Sequence, residues 1–242
     1  MRPSRAGFTL LELAISLAVV CALLVILLPA LSTARRSSHR AICAGNQRLL
    51  GQAWSMYLEG NDGRFPVIHD QPAWKYGGVR FSKVDKTTAF LDHSFPLNRY
   101  LPLQRLDAPA EALFHCPSDR GITGETGGVG TGDRTAYEAY GTSYRANAAL
   151  LAPRAGGGPG SGGGLYINEI TTAASRLVVM GDPVWYEVLE NTGRTAAWHG
   201  RSDAGNLLFL DGSVRFVAVV PRPQIGAAVF DPLEPGLAFP RN

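Results

Sequence analysis

From Phe8 to Leu31 the chain is an almost unbroken apolar run of 24 residues. Wound as a helix at 1.5 Å per residue it spans roughly 36 Å, enough to cross a hydrocarbon core of about 30 Å with some tilt. From Leu17 to Leu28 there is no strongly polar side chain. An ordinary secretory signal peptide has a shorter apolar core, about 7–15 residues, and a small-residue cleavage site after it. Here the run is too long, and Pro29-Ala30-Leu31-Ser32-Thr33-Ala34 is a weak site of that kind. The segment therefore reads as a single membrane span at the amino-terminal end.

Two residues in the run do not fit a plain anchor. Glu12 puts a carboxylate into a membrane helix, at a cost on the order of 2.5–3.5 kcal/mol at the bilayer centre and less near its edge. Pro29 removes one backbone hydrogen bond late in the span, leaving a carbonyl for side chains or neighbouring helices to satisfy. Charge does not orient the span, because Arg2 and Arg5 precede it while Arg35, Arg36 and Arg40 follow.

The junction Gly7-Phe8-Thr9-Leu10-Leu11-Glu12, after a short basic leader, resembles the processing site of type IV prepilins and type II secretion pseudopilins. That resemblance implies that a prepilin peptidase removes residues 1–7, cutting between Gly7 and Phe8, and that Phe8 becomes N-methylated. It implies that Glu12 serves assembly by pairing with the amino terminus of a neighbouring subunit, and that Pro29 bends or loosens the helix. It also places the leader in the cytoplasm and the bulk of the chain outside the inner (cytoplasmic) membrane. The implied partners are the peptidase, an inner-membrane assembly platform, sibling pilin or pseudopilin subunits and membrane lipid.

The helical pattern continues past the span. Ile42, Leu49, Ala53 and Met56 recur at spacings of seven, four and three, a helical stripe to be covered by a sheet, with Cys43, Leu50, Trp54 and Tyr57 flanking it. Gly60-Asn61-Asp62-Gly63 stops the helix. One helix from about residue 8 to 59 would be roughly 78 Å long. The expected division is a leader at 1–7, a pilin helix at 8–60 with residues 8–31 in the membrane, and a head at 61–242.

Within the head, residues 64–110 carry scattered aromatics and prolines without a period and read as short helices and loops. Residues 121–135 and 155–164 are glycine-rich loops, and no Gly-Lys-Ser/Thr follows them to hold a phosphate. The β region lies toward the carboxy terminus. Arg176–Gly181 reads as a buried strand and Val184–Leu189 as the next. Asn206–Leu210 and Ser213–Val220 flank Asp211-Gly212, the strongest hairpin signal in the chain. The fold class expected is α+β, a long amino-terminal helix packed on a small antiparallel sheet of three or four strands, as in pilins.

The chain has 23 basic and 20 acidic residues, a formal charge of +3 that is too balanced to argue for nucleic acid. The basic cluster after the span suits lipid headgroups instead. Cys21 lies within the span. Cys43 and Cys116 lie outside it, and two readings stand side by side: one disulfide in an exported head, or two unrelated buried thiols. No CxxC pair or histidine-rich spacing points to a zinc site.

Further fragments, Cys116-Pro117-Ser118-Asp119, Ser143-Tyr144 before Asn147, and His199 ahead of Asp211-Gly212, resemble a large pseudopilin-like family abundant in planctomycete-type bacteria. Its carboxy-terminal signature is a histidine, nine residues, then Asp-Gly. Here eleven residues separate His199 from Asp211, which implies a two-residue insertion near Arg201–Ala204.

A hydrolase set of His199, Asp203, Asp211, Asp182 and Ser118 can be drawn, but no Gly-x-Ser-x-Gly elbow supports it. Asp211 has a backbone reason for its place in a tight turn, and Asp119 reads as a turn or cap residue. The chain is expected not to be an enzyme and to need no cofactor. Calcium, held by Asp203, Asn206 and nearby carbonyls, is the one candidate ligand, without EF-hand spacing. The function expected is a membrane-anchored filament subunit, and the competing class is a tethered binding module that never polymerises.

Overall fold

The computed structural model describes residues 9–81, 89–101, 112–122, 134–153, 164–189 and 197–219. Gly7 and Phe8, the glycine-rich stretches 123–133 and 154–163, and the end of the second hairpin arm at Val220 lie outside them. The chain forms two compact units, residues 1–38 and 39–242. Helix α1 (Leu10–Gly60) runs for 51 residues from one into the other.

In the first unit α1 is apolar on every side. Its large aliphatic side chains from Leu10 to Leu31 are 45–87% exposed. Among the described residues it is the one helix long and apolar enough to cross a membrane. The helix continues through Pro29, whose carbonyl accepts hydrogen bonds from Ser32 Oγ at 2.9 Å and Thr33 Oγ1 at 3.1 Å. These donors fall on the proline's own carbonyl; the carbonyl that the missing N–H deprives of its helical donor is that of Val25.

In the second unit the remainder of α1 buries Cys43, Gln47, Leu50, Gly51, Ala53, Trp54 and Leu58. This corrects the expected facing of the helix. Of the predicted stripe only Ala53 is buried, while Ile42, Leu49 and Met56 are 48%, 52% and 51% exposed. Two apolar stripes run side by side, and the one that carries the largest ring, Trp54, faces inward, where a large ring buries the most area. Beyond Gly60 the chain reverses at Asp62 and Gly63, with φ of 54° and 72°, and Gly63 N–H closes on the Leu58 carbonyl at 2.8 Å.

The main sheet is an antiparallel meander of β3 (Arg145–Ala146), β4 (Val178–Gly181), β5 (Ala204–Phe209) and β6 (Val214–Ala218), paired in that order. The α+β class expected from the sequence is the one observed. The β5–β6 hairpin turns at Asp211-Gly212, with Leu208 opposite Val214 and Gly212 at φ 79°. Asp211 Oδ1 accepts from Ser213 N–H at 2.9 Å and Ser213 Oγ at 2.6 Å, closing the turn.

Two elements differ from expectation. Val184–Leu189 is not a strand but a helix, here α4. Pro183 fixes a helix-compatible φ just before it, and Tyr186 N–H bonds the Pro183 carbonyl at 3.0 Å. The consecutive burial of Val184, Trp185 and Tyr186 also defeats the alternation a half-buried strand requires. Within 64–110, in place of loops and short helices alone, β1 (Val79–Phe81) and β2 (Ala89–Leu91) pair antiparallel. Strands of three residues are too short to leave a period. The segment is held by Asn98, whose Oδ1 accepts from Gly78 N–H at 3.0 Å and whose Nδ2 donates to the Gly78 carbonyl at 2.7 Å. Two short helices, α2 (Ala136–Tyr140) and α3 (Ala148–Leu151), complete the packing around the sheet.

Candidate functional site: a capped acid and a buried polar cluster

Two groups of residues carry the chemistry, one in each unit. At the start of α1, Thr9 N–H and Thr9 Oγ1 donate to Glu12 Oε2 at 2.9 and 2.8 Å, and Glu12 N–H donates to Thr9 Oγ1 at 3.2 Å. This is a reciprocal capping box, and it satisfies backbone donors that would otherwise be orphaned at a helix start. The hydroxyl of Ser16 donates to the Glu12 carbonyl one turn on. Glu12 is therefore held by its own chain.

The second group lies in the core of the body and centres on Asp182, directly after β4. Its Oδ1 accepts from Gln47 Nε2 of α1 at 3.0 Å, and its Oδ2 accepts from the Asn206 N–H of β5 at 2.7 Å. His199 Nε2 stands 3.1 Å from the same Oδ2, both side chains wholly buried. Asn206 Nδ2 reaches back to the Arg40 carbonyl at 3.2 Å. One carboxylate thus joins α1, β4, β5 and the turn Trp198–Gly200. Trp198 Nε1–H bonds the Gly121 carbonyl at 3.1 Å and fixes that turn, in which His199 adopts a left-handed φ of 57°.

Beside this cluster Cys43 and Cys116 are joined as a disulfide with their Cα atoms 5.3 Å apart. Cys116 Sγ lies 3.7 Å from His199 Nε2. The turn after Cys116 is organised by Asp119. Its Oδ1 accepts from Gly121 and Ala136 N–H at 2.8 and 2.9 Å, and its Oδ2 from Tyr137 N–H at 2.9 Å and Ser143 Oγ at 2.6 Å. The carboxylate thereby caps the start of α2. Burial, and next the Asp182 carboxylate, push the Tyr144 hydroxyl well above its ordinary pKa. Tyr144 stays neutral and accepts from Asn46 Nδ2 at 3.1 Å.

Of the hydrolase candidates, the structure brings together His199 and Asp182, while Asp203 and Asp211 are engaged elsewhere. Asp203 pairs with Arg201 at 2.7 Å on the surface, and Asp211 serves its turn. Asp182 and Cys116 Sγ both meet the same ring nitrogen of His199. A relay needs its acid and its nucleophile on opposite nitrogens, so this geometry is a clamp rather than a triad. The calcium candidates do not converge either, because Asp203 is held by Arg201 and Asn206 by the core. Sequence reasoning passes over Gln47, a lone polar residue on the buried face of α1. Its spacing of four residues from Cys43 is the signal that places it there.

An apolar helix of membrane length that opens on a capped acid, leading to a body built on a four-stranded antiparallel sheet, is a pilin-like arrangement. Residues 2–28 match the family described as the prokaryotic N-terminal methylation motif. No curated protein and no solved structure gives a significant match to the chain. Together the motif and the apolar helix support a pilin-like, membrane-anchored subunit.

Proposed function

We propose that this chain is a filament subunit: cleaved after Gly7, methylated on Phe8, and assembled through α1 into a type II secretion or type IV pilus-like fibre. The observation that carries the reading is the outward stripe of α1 beyond its membrane-length part. Ile42, Leu49 and Met56 stand at heptad spacing and are each about half exposed, while the opposite side of the same stretch is buried in the body. A repeat of seven is what one helix presents to another running beside it. In this reading Glu12 leaves Thr9 to pair with a neighbour's amino terminus, and Pro29 supplies local looseness. The body faces the outside of the inner membrane. We also read His199, Asp211 and Gly212 as the signature of the pseudopilin-like family with its two-residue insertion. They act as scaffold: His199 ties to Asp182, and Asp211-Gly212 makes the hairpin turn.

The test is incorporation of Glu12→Ala and Leu49→Asp chains into fibres sheared from cells that carry the assembly platform. Both variants should accumulate in the membrane, each with the mass its own sequence requires after processing before Phe8, yet fall at least tenfold in the sheared fraction. Normal incorporation of both, or an intact Met1 leader on the native polypeptide by mass spectrometry, refutes the proposal.

A further inference from the structure

We propose that the chain in its dithiol form binds one soft divalent cation of the Zn²⁺ type through Cys43 Sγ, Cys116 Sγ and His199 Nε2. Asp182 closes the site, and oxidation to the disulfide expels the ion.

The three ligand atoms all lie within 4.8 Å of one another. A tetrahedral zinc site with Zn–S of about 2.3 Å and Zn–N of about 2.0 Å sets S···N near 3.5 Å and N···O near 3.3 Å. Cys116 Sγ is 3.7 Å from His199 Nε2, and Asp182 Oδ2 is 3.1 Å from the same nitrogen. The Cys116–His199 and His199–Asp182 edges are therefore already near their required length. The sulfurs must separate to roughly 3.8 Å and the Asp182 carboxylate must swing toward them, movements within reach of side-chain rotation.

The ligand types also select the metal, because two thiolates, an imidazole and a carboxylate favour zinc over calcium or magnesium. His199 is held at a positive φ by its surroundings, a strain that concentrates at ligand clamps. With Nε2 on the metal, the ring proton resides on Nδ1. The supports of Asp182, Gln47 and the Asn206 backbone, then act as the outer shell that orients the carboxylate.

The redox step balances. On binding, two thiols release two protons and the ion gains two sulfur bonds. On oxidation those bonds break, the Sγ–Sγ bond forms, and two electrons pass to an acceptor disulfide. That acceptor takes two protons and becomes a dithiol. The reverse step consumes a dithiol reductant.

The experiment uses the full chain in detergent micelles with Cys21→Ala, so that the exposed third thiol is absent. One sample is oxidised, and one is reduced with a phosphine and freed of reductant under argon. Zn²⁺ is titrated against a chromophoric chelator, and Co²⁺ serves as the spectroscopic probe. One Zn²⁺ per reduced chain and none per oxidised chain is expected, with thiolate-to-cobalt charge transfer and intense tetrahedral d–d bands. His199→Gln should weaken Zn²⁺ binding by tenfold or more in the reduced state, while its oxidised form keeps the parent's circular dichroism. Equal affinity in the two redox states overturns the proposal, as does parent-like affinity in His199→Gln. A reduced chain that loses its near-ultraviolet dichroism and does not regain it on Zn²⁺ addition overturns it equally.

Discussion

Asp182 is the residue at which α1, β4, β5 and the Trp198–Gly200 turn meet. Replacing it with alanine leaves the Gln47 amide, the Asn206 N–H and His199 Nε2 without their acceptor in a core closed to water. Removing one member of a buried charged group costs about 3–5 kcal/mol. Asp182→Ala should lower the unfolding free energy by that much in denaturant titrations, while Gln47→Leu, which removes one bond and one orphaned oxygen together, should cost about 1 kcal/mol or less. Two glycines make a second residue-scale comparison. A Cβ on Gly212 would meet nothing within 4 Å, so Gly212→Ala bears only the left-handed backbone cost, about 1–2 kcal/mol. A Cβ on Gly141, also at positive φ, would stand 1.7 Å from the Val79 carbonyl oxygen. Gly141→Ala must displace β1 and should exceed 4 kcal/mol, or yield no folded body at all. Comparable unfolding midpoints for the two variants would contradict this account.

At the scale of elements, α2 is short and depends on its caps. Thr135 and Glu138 form a capping box, and hydrogen bonds from the Thr135 backbone and hydroxyl hold the Glu138 carboxyl below its ordinary value of 4.5. A depressed folded-state pKa contributes stability that is fully present above the unfolded value and is lost as pH falls through the folded one. Thr135→Ala should therefore cost about 1 kcal/mol at neutral pH and progressively less below pH 4.5, where the parent loses the same interaction. Unfolding curves of parent and variant at neutral and acid pH check this by whether the gap closes. Element by element, the sequence is unevenly readable. The β5–β6 hairpin is legible because Asp-Gly between alternating apolar arms has a single backbone solution. The end of α1 is legible for a similar reason. The facing of α1 is not, since two stripes one residue apart share one period, and only burial distinguishes Leu49 from Leu50. Nor is α4, whose alternation matches a strand and whose only contrary sign is Pro183. In the buried cluster, His199 and Asp182 both stand among the sequence candidates, but their pairing has no local pattern: Asp182 acquires its other partners from positions 135 and 24 residues away.

For the molecule as a whole, the bond between Cys43 and Cys116 spans 73 positions and joins α1 to the Asp119 turn. Closing a loop of that length removes denatured-state entropy worth about 4 kcal/mol. A chain carrying Cys43→Ser and Cys116→Ser should unfold at correspondingly lower denaturant, and the parent under reductant without metal should approach it. The bond also has a mechanical consequence. A subunit drawn by its helix while its body meets resistance passes tension straight across the sulfur bridge, and the intervening stretch is left slack. If every residue of that stretch pulled straight, it would lengthen by roughly 250 Å. The crosslink withholds that reserve of extension, so the stretch between the two cysteines bears load only once the bridge itself is cut.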